Sequence, residues 1–236
     1  IGSEFVNEQA FPAQETFEKS SRQAAVPACL DLDRRTHAGH RTGFGNDVIS
    51  GVETLRFADG DLTVTTTEQG AVTLTGTDVD DVITLVGPGA ATLEGVVGDD
   101  VLTGGDGADA IDGGLGDDMI IGGAGDDTIT AAEGDDTVYG SAGDDTITGD
   151  AGFDYIDGGT GDDTIAAGDD DDTVYGGEGA DDIAGNAGDD FIDGGAGDDL
   201  IAGGEGDDII DGGTGKDTIL AGDGDDLIHD NRGPFP

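Results

Sequence analysis

From Gly104 to His229 the chain repeats every nine residues, and only one position in each unit is dependably apolar. The eighth residue is Ile in twelve of the fourteen units and Val in two, Val138 and Val174. Its neighbours are mostly wetter, as in Thr128-Ile129-Thr130, so each unit ends in a triplet with one apolar side chain between two flanks. Alternation with a period of two marks a short β-strand with one buried face. The six residues before the triplet read differently. The first is Gly in eleven units, the fourth is Gly in thirteen, and the sixth is Asp in all fourteen. Gly opens backbone angles that other residues avoid, so these six residues are expected to reverse the chain before each strand.

Two units make one coil of eighteen residues. Coils stacked as parallel strands about 4.8 Å apart predict a rod on the order of 34 Å long for the fourteen units. A fifteenth unit, Gly95 to Thr103, joins in register, and looser copies stand at Gly76 to Thr84 and Thr42 to Ser50. Between them, Val52 to Phe57 and Leu62 to Thr67 read as strands around Asp59-Gly60, a hairpin-turn dipeptide, and Ala71 to Thr75 alternates. The expected organisation is residues 1–41 as a cloning scar and irregular flank, 42–94 as degenerate repeats and strands forming an N-terminal cap, 95–229 as the repeat solenoid, and 230–236 as a tail.

Composition sharpens this picture. The chain has 236 residues with 47 Gly, 55 Asp+Glu and 8 Lys+Arg, for a net charge of −47. Acidic, Gly-rich chains with few aromatics are also the usual material of disorder, but a disordered tract has no cause to hold one β-branched residue in phase for fourteen units. So negative a chain repels nucleic acid and anionic membranes, and no apolar run is long enough to insert in a bilayer; cations are the expected partners. One cysteine, Cys29, permits no intramolecular disulfide. Cys29, His37 and His40 lack the spacing and the fourth partner of a zinc site. No HExxH, GxSxG or phosphate-binding loop occurs, so the segment is expected to be non-catalytic.

The invariant aspartates carry the candidate chemistry. Stacking by eighteen sets them in two columns, one through Asp100, Asp118, Asp136, Asp154, Asp172, Asp190, Asp208 and Asp226, the other through Asp109, Asp127, Asp145, Asp163, Asp181, Asp199 and Asp217. Like charges at strand spacing need a cation between them, and all-oxygen donors select calcium or magnesium. Calcium suits tight glycine turns better, because it accepts six to eight loosely placed oxygens. Fifteen units joined two apart allow thirteen sites, about a dozen ions. One buried Ile or Val per nine residues is too little apolar surface to order the chain unaided, so folding is expected to require the metal. Asp170 at a fourth position, and Ala132, Ser141, Asp150 and Asn186 at second positions, depart from the pattern, and distortion is expected around Asp136, Asp154 and Asp172. The fifth-position aspartates, such as Asp126 and Asp207, are read by default as solvated, with support of the metal ligands from behind as the alternative.

The nonapeptide G-G-x-G-x-D-x-U-x, in tandem over residues 95–229, resembles the RTX, or hemolysin-type, calcium-binding repeats. That resemblance implies a right-handed parallel β-roll in which each ion bridges adjacent turns, held by Asp carboxylates and carbonyls of the Gly-rich segment. It also implies a secreted bacterial protein that leaves the cell unfolded by type I secretion, with a C-terminal signal that the seven residues after the last unit are too few to supply. The expected role is a module that folds on calcium outside the cell and stabilises a larger protein or aids its secretion. The alternatives are a fragment of an extracellular protease, lipase or polysaccharide-active enzyme, or a surface-layer or adhesin scaffold. One outward face is unusually apolar, with Met119, Tyr155, Phe191 and Ile209 at seventh positions, and is expected to dock the N-terminal flank, another domain or a second copy.

Overall fold

The computed structural model describes residues 47–49, 63–66, 72–85 and 87–229. The expectations for residues 1–41, for the strand from Val52 to Phe57 with its Asp59-Gly60 turn, and for the tail lie outside these residues. The described residues are all β, with no helix. Two ten-stranded sheets face each other, and the chain passes from one to the other at every unit. The first sheet runs from Asp47–Ile49 through Val82–Leu85, Val101–Thr103, Met119–Ala124, Thr137–Ala142, Tyr155–Thr160, Thr173–Glu178, Phe191–Ala196 and Ile209–Asp211 to Leu227–His229. The second holds the intervening strands, from Thr63–Thr66 to Thr218–Asp223. Successive strands of a sheet pair in parallel, eighteen residues apart, so that Ile129, Ile147 and Ile165 stack in one sheet and Ile120, Val138 and Ile156 in the other.

The strands are longer than the triplet. Thr128–Glu133 begins at the seventh position of one unit and continues through the third of the next, alternating inward and outward, with Ile129 and Ala131 buried. The reversal is therefore made by positions four to six alone. The eighth-position side chains form the core, at 0–3 % exposure from Leu102 to Ile210. The first position also points inward, where a Cβ would meet the corner Asp of its own unit and a main-chain carbonyl of the next coil, as at Gly140. This corrects the expectation that its glycine serves a turn. Positive φ belongs instead to the second and fourth positions, as at Gly123 and Gly125, with φ of 115° and 114°.

The N-terminal coils are irregular for identifiable reasons. Leu85 is one residue more than the period allows, so Val82 pairs with Val101 nineteen residues on. The unit at 86–94 carries Ala91 where the others carry Asp. The looser copy at 42–50 is out of register: Asp47 lies opposite Ile83, an eighth-position residue, and not opposite Asp81. Thr63–Thr66 pairs antiparallel with Val72–Thr75 and ends the second sheet there. In the last described coil Ile228 is 47 % exposed although it occupies a core position.

Candidate metal centres

Both edges of the solenoid are columns of three-residue turns, and the sixth-position Asp closes each turn. Fourteen of the fifteen candidate aspartates, Asp100 to Asp217, are buried; Asp226 in the last coil is half-buried. One carboxylate oxygen is engaged in every case. The Oδ1 of each Asp accepts the backbone N–H of the residue one coil earlier, at 2.7–3.1 Å from Asp118 to Asp226 along one edge. The other edge repeats this at 2.7–3.2 Å from Asp127 to Asp217. The columns begin where Asp81 and Ala91 donate to Asp100 and Asp109, at 2.6 and 2.7 Å. The geometry thus brings together all fifteen residues singled out in the sequence.

The second oxygen has no such partner. In thirteen of these aspartates, Asp100, Asp118 and Asp127 among them, Oδ2 is buried without a hydrogen bond. Asp109 is the exception within the buried set, because the Gly105 N–H reaches its Oδ2 at 2.7 Å. A buried carboxylate left half unsatisfied is costly, and its acidity shows it. Burial, opposed by the N–H bond and reinforced by neighbouring carboxylates, pushes Asp118, Asp154, Asp163 and Asp172 up to about 7. The same causes push Asp100, Asp127, Asp136, Asp190 and Asp199 up to about 6. Burial likewise raises Asp109, Asp145, Asp181 and Asp208.

In ten of these units the unpartnered oxygen stands at the first-position glycine of its own unit, together with a main-chain carbonyl from the next coil. A Cβ placed on Gly140 would stand 2.5 Å from Asp145 Oδ2 and 2.6 Å from the Gly158 carbonyl oxygen. Gly158 and Gly176 repeat this arrangement, at the same two distances. Bare glycine therefore leaves a cradle where a carboxylate oxygen and a carbonyl oxygen converge, one from each of two stacked coils. Among the described residues no three Asp, Glu, His or Cys side chains gather at one point. A cation here would have to draw on main-chain carbonyls as well as carboxylates, a donor set of hard oxygens only.

The irregular units keep the hydrogen-bond ladder and carry their departure as backbone strain. Ala132, Ser141, Asp150, Asp170 and Asn186 all hold positive φ, between 76° and 90°. The ladder bonds to Asp154 and Asp172 keep ordinary lengths of 2.9 and 2.8 Å. Sequence reasoning did miss the fifth position. Those aspartates are exposed, yet they form a second ladder that runs the opposite way: Asp117 Oδ1 accepts from the Asp135 N–H one coil later, and Asp126 Oδ1 from Asp144, both at 3.1 Å. The frequent Asp-Asp pair was the available signal.

A family model of RTX calcium-binding nonapeptide repeats, four copies long, matches residues 86–120, 113–147, 121–156, 148–183, 175–210 and 203–233, an unbroken run over more than half of the chain. No curated protein matches the chain.

Proposed function

Since the chain belongs to the RTX family and is a calcium-binding β-roll module, we propose that the ions occupy the two columns of corners lined by Asp100 to Asp226, and that at neutral pH the chain folds only when they bind. The observation that carries this reading is the set of thirteen buried, unpartnered Oδ2 atoms. Each is a desolvated carboxylate oxygen, and ten of them share their site with a carbonyl of the next coil, which is what a bridging hard cation requires. The ion supplies positive charge and a coordination sphere that joins neighbouring coils. The protein supplies the rest: Oδ1 stays fixed by an N–H, Oδ2 is turned inward, and the first-position glycine keeps the space clear. Fifteen corners joined along two columns provide for about a dozen ions.

Metal binding and folding are then one event. Extracellular calcium modules bind at about 10⁻⁴–10⁻³ M, well above cytosolic calcium, so this segment stays unfolded inside a bacterium and folds after export. The RTX repeats, typical of secreted bacterial proteins, support that reading, and the module serves as a calcium-set scaffold for a larger exported protein. The test is far-UV circular dichroism in chelator and in millimolar calcium, with ions counted per chain by native mass spectrometry. A β signal appearing only with calcium, and about a dozen ions, is the expected result. A β signal unchanged by chelator at neutral pH, or only a few ions bound, overturns it.

A further inference from the structure

All three tyrosines of the chain lie in one patch on the outer face of the first sheet. Along four successive strands the ninth position reads Tyr139, Asp157, Tyr175, Asp193, and the seventh reads Thr137, Tyr155, Thr173, Phe191. Aromatic and polar side chains therefore alternate in both directions, a checkerboard that repeats every two coils. The four rings meet in a zigzag, with centroids 5.9, 5.6 and 5.8 Å apart and planes tilted by 52°, 44° and 55°. They are half-buried, and Met119 and Ile209, at 44 % and 46 % exposure, extend the apolar strip at either end. Asp157 lies among the rings, whose cover raises its carboxyl above the usual range.

The face is specific about what it accepts. A second copy would bring Asp157 and Asp193 against their own kind in a chain of charge −47. A guanidinium suits it: the flat cation stacks on a tyrosine ring and offers its fork to a carboxylate beside that ring. Residues 19–41 hold Lys19, Arg22, Arg34, Arg35 and Arg41, five of the chain's eight basic residues. That segment enters the fold at Asp47–Ile49, which is the first strand of this same sheet. Tyr139 sits four strands away and Phe191 seven, about 19 and 34 Å along the rod. Extended chain covers roughly 20 Å from Asp47 back to Arg41 and roughly 45 Å back to Arg34, so these arginines span the whole ladder. We propose that residues 19–41 lie along this checkerboard, with Arg34, Arg35 and Arg41 stacked on its tyrosines and paired with Asp157 and Asp193.

The chain provides its own probes, a single cysteine, Cys29, inside the segment and no tyrosine outside the patch. A nitroxide attached to Cys29 of the full chain, studied once circular dichroism establishes the β fold, should broaden the tyrosine ring signals in NMR until the label is reduced. Failure of calcium-gated folding would appear in the dichroism and is distinct from failure to dock. Replacing Arg34, Arg35 and Arg41 with Ala together should abolish the broadening while leaving dichroism and ion count unchanged, and added salt should weaken it. Ring signals equally sharp with oxidised and reduced label would overturn the proposal, as would broadening that survives the triple substitution. Broadening that fades on dilution would also overturn it, since the contact would then lie between copies.

Discussion

Acid should replace calcium. The perturbation is a fall in pH from about 8 to about 5 with chelator present throughout. In the folded chain Asp118, Asp154, Asp163 and Asp172 are raised to about 7 from 3.8. A shift of about three pH units is worth roughly 4 kcal/mol per carboxylate. The five aspartates raised to about 6 add roughly 3 kcal/mol each. The sign follows from the raised folded-state values. Below the unfolded value near 4 both states are protonated and nothing is lost; as pH climbs past 4 the unfolded chain ionises first, and the fold loses stability until pH passes the folded values of 6 to 7. Against the roughly 5–15 kcal/mol that holds an ordinary domain, ionising a handful of these groups without a cation is decisive. Far-UV circular dichroism in chelator should therefore show a coil at about pH 8 and a growing β signal toward pH 5, whereas the calcium-loaded chain keeps its β signal across the range. A chelated chain equally unfolded at both ends, or equally folded, would refute the reasoning.

Proton release on binding should mirror this: calorimetry in buffers of differing ionisation enthalpy should show calcium displacing protons at about pH 6 and far fewer at about pH 8.5. Asp163→Asn keeps the oxygen that accepts the Asp145 N–H and removes the charge. In chelator at about pH 8 it should favour the fold by up to about 4 kcal/mol, and in calcium it should lower the ion count; a change of one sign in both media would count against the assignment. Ala132→Gly relieves a φ of 90° and should lower the calcium concentration at the folding midpoint, by about 0.5–1 kcal/mol of stability. Gly134→Ala meets the reverse case, with φ at 140° and its new methyl against the Gly116 carbonyl, so its midpoint should rise by more than Ala132→Gly lowers it.

The eighteen-residue coil, the parallel stacking and the membership of both Asp columns were legible because each depends on phase alone, and fourteen copies define a phase sharply. What escaped was whatever depends on space between coils. Gly122 looks like a turn residue in the sequence, yet it lies within the strand Met119–Ala124, where a Cβ would meet Asp127 Oδ2 at 2.5 Å and the Gly140 carbonyl at 2.8 Å. Leu85 shifts the register by one, and no local pattern marks it as an insertion. The outer ladder through Asp117 and Asp135 was hidden because solvation accounts equally well for an exposed Asp.

The two ladders, considered together, explain why a corner is complete only inside a stack. The N–H of each sixth-position Asp needs the carboxylate one coil ahead, while the fifth-position N–H needs the carboxylate one coil behind. No single coil can satisfy its own turn, and stability resides in the interfaces between coils, as in any one-dimensional array. A cation placed between two coils strengthens that interface term and no other. The irregular N-terminal coils follow the same logic: with Ala91 in place of Asp the column has no carboxylate to offer there, Asp109 accepts the N–H of Gly105 in its own unit at Oδ2, and Thr63–Thr66 pairs antiparallel at the end of the second sheet.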